Sequence, residues 1–146
     1  MQIKELVSQS PSETINVAKE FAKTLKAGMV VAFQGDLGSG KTTFMKGLAE
    51  GLGLKNHDEV KSPTFVIMHC YPTKIPIYHF DLYRFDTEDE LDAIDFDEFL
   101  NDPKAISCIE WAEKAPGRIP KDAVWVTMKT VGDQARQIVI SKKVTP

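Results

Sequence analysis

An α/β fold built on a mixed, mainly parallel sheet is what this sequence predicts, and three observations carry the prediction. The first is the stretch GDLGSGKTTF, Gly35 to Phe44, which satisfies the phosphate-loop pattern GxxxxGKT at Gly35, Gly40, Lys41 and Thr42. The second is its setting. Met29 to Phe33 is an uninterrupted apolar run of the kind found in strands buried on both faces, and after the loop Phe44, Leu48 and Leu52 recur at helical steps before a capping Gly53. The third lies near the C-terminus, where alternating runs from Val124 to Lys129 and Gln137 to Ile140 flank Val131, Gly132 and Asp133 and predict an antiparallel hairpin.

The loop points to nucleotide chemistry. Without bulky side chains its backbone can wrap N–H donors around anionic oxygens, Lys41 adds a cation for β and γ phosphates, and the Thr42 hydroxyl can bind Mg²⁺. The helix starting at Lys41 puts its positive end under the same charge. Length and composition agree with a single domain over residues 1–146, large enough to bury a core. A net charge of −3 argues against a broad basic face for nucleic acid, so any link to RNA is expected to be indirect. Cys70 and Cys108 sit in apolar runs and predict no disulfide framework. No stretch reaches the length of a membrane span, and MQIKELVSQS lacks the basic end and apolar segment of a signal peptide, so the expected location is cytoplasmic, with no membrane partner.

In chain order, Ile3 to Val7 predicts a short strand. Ser10, Pro11 and Glu13 then give a helix start, with a Ser cap, Pro at the first helical position and the SxxE box; Ile15, Ala18, Ala22 and Leu25 form the apolar stripe, ended by Gly28. That helix start either only packs or also borders the nucleotide base. Lys55 to Lys61 is polar and aperiodic and leads into Ser62, Pro63 and Thr64, which read either as a turn before a strand or as a switch in which Thr64 reports the γ-phosphate. Phe65 to Cys70 and Ile77 to Phe80 predict strands. Asp81 follows where ligand groups are presented in open α/β sheets, and reads equally as a turn former or as an acidic, water-orienting group. His79, between Tyr78 and Phe80, reads as a packed strand residue, and the histidines and cysteines lack zinc spacing.

Thr87 to Glu90 is a second capping box, opening one or two short acidic helices through Leu100. Their acidic run reads as a solvated face, with docking of a basic partner as the alternative. Ala105 to Ile109 predicts another buried strand, and Glu110 at its end stands where a phosphate loop needs a Mg²⁺-linked carboxylate, although Asp is the usual residue and a surface Glu is the other reading. Trp111 reads as packing.

Together GDLGSGKTTF, SPTF at Ser62 to Phe65, HFDLYR at His79 to Arg84 and IEWAEK at Ile109 to Lys114 closely resemble the TsaE (YjeE) family of small bacterial ATPases, along nearly the whole chain. The resemblance implies a three-layer α/β P-loop NTPase fold and a role in making threonylcarbamoyladenosine in tRNA. It implies that Gly38, Ser39, Gly40, Lys41 and Thr43 bind the phosphates of ATP, that Thr42 and Glu110 hold Mg²⁺, that Ser62 to Phe65 with Thr64 is a first switch, and that Asp81 is needed for turnover. It further implies hydrolysis of ATP while docked on a heterodimer of TsaB and TsaD proteins, with tRNA met only through that complex. Ser39 departs from the common Ala, and the terminal hairpin matches weakly, so base contacts are not carried over. The rival class is a small-molecule or nucleotide kinase, which requires an arginine-bearing lid; the chain has only Arg84, Arg118 and Arg136. No arginine finger is evident, Arg84 and Arg118 are the candidates to assist hydrolysis, and an isolated protein is expected to be slow.

Overall fold

The computed structural model, which describes residues 4–36, 38–63 and 66–142, opens with β1 (Lys4–Ser8) and α1 (Pro11–Ala22). The start of α1 follows from its sequence. Ser10 Oγ accepts from the Glu13 amide at 3.2 Å, Pro11 fills the first turn, and the Glu13 carboxylate reaches one residue past the usual capping-box partner to accept from the Gln9 amide at 2.7 Å. The helix stops before Leu25 because the amides of Thr24 and Leu25 bond to the carbonyls of Phe21 and Ala22, tightening the final turn; Leu25 is buried all the same.

Next come β2 (Val30–Gln34) and α2 (Lys41–Gly51), then β3 (Met68–Tyr71) and β4 (Ile77–Asp81). After them lie α3 (Phe96–Leu100), β5 (Ile106–Glu110), β6 (Val124–Thr130) and β7 (Arg136–Ser141). The sheet order is β1-β7-β6-β2-β5-β4-β3. The four inner strands β6, β2, β5 and β4 run parallel, whereas β3 and the β1/β7 pair add antiparallel edges. The terminal hairpin is present as β6 and β7, so the sheet is mixed and mainly parallel at its centre.

Two expected elements differ in form. β3 starts only at Met68 because Ile67 adopts a left-handed φ of 74°, which breaks an extended chain; Phe65 lies outside the described residues. The acidic segment forms a 3₁₀ helix over Glu88–Ile94, with Glu90 Oε1 accepting from the Thr87 amide at 3.1 Å, and Asp95 at φ 55° separates it from α3.

Three layers result. On one face α1 and α2 cover Val31, Phe33, Val126 and Ile138, with the Phe44 ring 5.8 Å from Phe21 and 5.6 Å from Phe33. Burying Phe44 fully stabilises the fold by roughly 1.5–3 kcal/mol. On the other face the 3₁₀ turns and α3 cover Ala32, Phe80, Ile109 and Trp125.

The two helices meet backbone to backbone. A methyl added at Gly47 would lie 2.3 Å from the Ile15 carbonyl oxygen and 2.7 Å from Ala18 Cβ, and one at Gly51 would lie 2.7 Å from Ala22 Cβ. Alanine is the better helix former by about 1 kcal/mol, but overpacking against main chain costs about 1–3 kcal/mol. With a backbone oxygen at 2.3 Å the overlap dominates. Gly47→Ala is therefore expected to lower stability by about 1–2 kcal/mol, read as a fall in the urea midpoint with unchanged slope. A raised midpoint would contradict this packing.

Candidate functional site

The carboxyl ends of three adjacent parallel strands bring the motifs together. β2 runs directly into the loop, Asp81 ends β4 and Glu110 ends β5; in register Glu110 pairs with Phe33 on one side and Asp81 on the other. Three stretches distant in sequence thus share one edge of the sheet, where open α/β folds place ligands.

The loop's shape depends on missing side chains. A Cβ at Gly35 would lie 2.6 Å from the Met128 carbonyl oxygen and 2.7 Å from Ser39 Oγ, so β6 presses directly on the loop's start. Gly40 at φ 99° is the N-cap of α2, a conformation that favours glycine. The first intrahelical bond runs from the Phe44 amide to the Gly40 carbonyl at 2.9 Å, leaving the amides of Lys41, Thr42 and Thr43 without helical partners. No side chain caps this end and no acidic residue occupies its first turn. The positive end of α2 is left for an external anion.

Lys41 is only 5% exposed. Its ammonium donates to the Gly35 carbonyl and lies 3.7 Å from the centroid of the Trp111 ring. Burial pulls its pKa below the ordinary lysine value, and the carboxylates of Glu110, Glu113, Asp81 and Asp36 partly offset that. Glu113 is shifted upward, first by burial. The expected packing role of Trp111 is thus too narrow: at φ 59° the residue turns out of β5 and sets its indole over the ammonium.

Asp81 and Glu110, each 2% exposed, are held differently. Asp81 Oδ2 accepts from Ser62 Oγ at 3.0 Å, and Oδ1 accepts from the Tyr83 amide at 2.8 Å. Glu110 Oε2 lies 2.6 Å from Nε2 of the fully buried His79, whose Nδ1 is 3.1 Å from the Tyr71 hydroxyl. His79 does pack, as the strand alternation implied, but it also reaches the carboxylate at the strand end. A buried imidazole needs partners, and that need was the available signal.

Gly38, Ser39, Gly40, Lys41, Thr42, Thr43, Ser62, Asp81, Glu110, Trp111 and Arg136 line one cleft of about 310 Å³. Gly35 does not line this cleft but abuts Ser39, which does, and Thr64 lies outside the described residues. Oxygen donors from Thr42, Asp81 and Glu110 suit a hard cation such as Mg²⁺, while the uncapped amides and Lys41 suit phosphate, so the residues present fit a metal-bound polyphosphate. A second cleft of about 280 Å³ shares Gly40, Thr43 and Arg136 and adds Pro11, Thr14, Asp133 and Gln134. Arg136, which carries no motif, is the arginine brought to both clefts. Arg118 instead pairs with Asp92 at 2.9 Å and Asp97 at 3.2 Å in the opposite layer.

A family profile described as "Threonylcarbamoyl adenosine biosynthesis protein TsaE" matches residues 8–138. The chain is 40% identical over 130 residues to the tRNA threonylcarbamoyladenosine biosynthesis protein TsaE of Bacillus subtilis (strain 168), covering 88% of this chain and 79% of that protein. It is 39% identical over 113 residues to the protein of the same name from Aquifex aeolicus (strain VF5), covering 77% and 79%. The crystal structure of Bacillus subtilis YdiB matches with a TM-score of 0.77 at 32% identity, over 97% of this chain and 87% of that one. The fold is accordingly a P-loop NTPase fold.

Burial, opposed by the hydrogen bond to the Lys61 carbonyl and reinforced by the charge of Glu110, pushes the Tyr71 phenol up to about 12. The fold favours the neutral phenol, so this contribution to stability is intact below the ordinary tyrosine value of about 10 and declines as pH rises from there through 12. Absorbance titration at 295 nm should show a phenolate component with a midpoint near 12 that is missing in Tyr71→Phe and in denaturant. Native tyrosines that all ionise near 10 would refute the buried placement.

Proposed function

The chain belongs to the TsaE family, and from that premise we propose that it is an ATPase that binds and hydrolyses Mg·ATP in support of threonylcarbamoyladenosine formation in tRNA. It acts docked on a TsaB–TsaD heterodimer, meets tRNA only through that complex, and works in the cytoplasm. Among the described residues no helix is long and apolar enough to cross a membrane. The observation that carries the reading is the convergence of Lys41, Thr42, Asp81 and Glu110 on one cleft at an uncapped helix start.

Residues Gly35, Gly38, Ser39, Gly40, Lys41, Thr42 and Thr43 bind the triphosphate. To meet the β and γ oxygens the Lys41 ammonium leaves the Gly35 carbonyl, exchanging a neutral acceptor for an anionic one. Thr42 and Glu110 hold Mg²⁺, which when bound neutralises charge spreading over the phosphoryl oxygens. Asp81, fixed by Ser62 and the Tyr83 amide, orients the attacking water for in-line displacement. Thr64, two residues from Ser62, belongs to the loop that reports the γ-phosphate. The second cleft takes the nucleoside, with the start of α1 at its border. A kinase is disfavoured by Arg118, which is engaged by Asp92 and Asp97 rather than available to a lid.

Calorimetry with Mg·ATP, and phosphate release with and without the partner heterodimer, test the reading. Lys41→Ala is expected to weaken triphosphate binding by about 10- to 100-fold, the value of a lost charge-assisted contact. Asp81→Asn should leave affinity within about twofold while lowering turnover by about 10²-fold or more. If Asp81→Asn binds no nucleotide, its assignment to the water is wrong. Absence of any nucleotide heat for the wild type, alone or in the heteromer, removes the whole proposal.

A further inference from the structure

Beneath the cleft, three strands contribute one continuous polar line. Tyr71 on β3, His79 on β4 and Glu110 on β5 are successive diagonal neighbours: His79 is in register with His69 and Cys108, each two residues from its hydrogen-bonded partner. Side chains two apart share a sheet face, so all three lie on the same side. The contacts are 3.1 Å from the Tyr71 hydroxyl to Nδ1 and 2.6 Å from Nε2 to Glu110 Oε2. The Tyr71 hydroxyl also lies 3.5 Å from the carbonyl of Lys61, next to Ser62. His79 is 0% exposed and Tyr71 6%, so water does not compete for these bonds.

The direction of the line is set by its acceptor. A carboxylate oxygen can only accept, so Nε2 carries the proton and donates whether or not the ring is charged. Glu110 is longer by one methylene than an Asp, the usual carboxylate opposite a phosphate loop, and has an additional rotatable bond. One oxygen tied to a fully buried ring removes that freedom and leaves the other for the cleft that Glu110 lines.

We propose that His79, braced by Tyr71, is the positioning residue that orients the Glu110 carboxylate toward the divalent cation of the bound nucleotide. This rests on the reading of Glu110 as a metal-linked carboxylate. Hydrogen-bonding partners behind metal ligands typically contribute 10- to 100-fold in metal affinity. His79 touches neither nucleotide nor metal, so its removal acts on the metal-dependent part of binding and spares the rest.

The test is a binding ratio, independent of turnover: ADP affinity with saturating Mn²⁺ divided by ADP affinity in EDTA, with the Mn²⁺ EPR spectrum of the ternary complex as a second readout. Glu110→Gln and His79→Leu are both expected to lower the ratio by about 10-fold or more, with metal-free ADP affinity changed by less than about twofold. His79→Gln, which keeps an N–H near the position of Nε2, should restore most of the ratio; a packing role would be served as well by Leu. The double variant His79→Leu/Glu110→Gln should be no worse than Glu110→Gln alone, because both act through one carboxylate.

If His79→Leu leaves the ratio unchanged while Glu110→Gln lowers it, the proposal is overturned and the metal assignment of Glu110 stands. If Glu110→Gln also leaves it unchanged, that assignment fails and takes the proposal with it. Should circular dichroism show His79→Leu unfolded, His79→Asn replaces it, since its amide reaches only the Nδ1 position; equal ratios for Asn and Gln variants would then overturn the proposal.

Discussion

A lysine ammonium kept out of water among carboxylates is the constraint on which this architecture depends. Burial alone drives Lys41 toward its neutral form, and what offsets it is negative charge from Glu110, Glu113, Asp81 and Asp36. Those groups come from a strand end, a 3₁₀ turn, a second strand end and the loop itself. They can surround one cation only if β2, β5 and β4 lie side by side and end level, as the register of Phe33, Glu110 and Asp81 shows. The close seating of α2 serves the same end, because glycines at 47 and 51 let it approach α1 and fix the direction in which Lys41 leaves the loop.

Hydrogen bonding then divides the two strand-end carboxylates, which are equally buried but differently held. Asp81 is bound by a loop hydroxyl and a main-chain amide, both on the segments that border the cleft, so its position follows the chain around it. Glu110 is bound from below by a side chain in the body of the sheet. In the proposed mechanism this separates a carboxylate that responds to the state of the loop from one whose place is fixed.

Much of this was legible in the sequence because the informative signals are local. The loop pattern, the apolar run of β2, the Ser10 cap and the alternation of β6 and β7 each specify their element within about ten residues, and each is present. The roles of Trp111, His79 and Arg136 were not legible, because each depends on a partner far along the chain. Trp111 meets Lys41 only because a left-handed turn follows β5, a conformation that an indole side chain does not announce. His79 finds Glu110 only through the β4/β5 register, and Arg136 reaches the cleft only because β7 folds back antiparallel on β6. The acidic segment is legible as short capped helices, and two are present; that the first is 3₁₀ and ends at a left-handed Asp95 has no local signal.

In the proposed mechanism the same distribution of charge is the reason turnover would depend on a partner. Phosphoryl transfer spreads negative charge beyond what one lysine covers, and a second cation on the far side of the γ-phosphate is the usual remedy. Arg118 is engaged by two aspartates in the opposite layer, and Arg136 spends Nη1 on the carbonyls of Gly132, Asp133 and Ala135 at 2.9–3.3 Å. Holding Arg136 to its own turn keeps the hairpin shaped around both clefts, but it also opposes extension of the guanidinium toward a transferring phosphoryl group. In that mechanism a docked partner would relieve this by repacking the 132–135 turn, which frees Arg136, or by inserting a cation of its own. In the proposed mechanism either route ties hydrolysis to assembly through the geometry of the cleft.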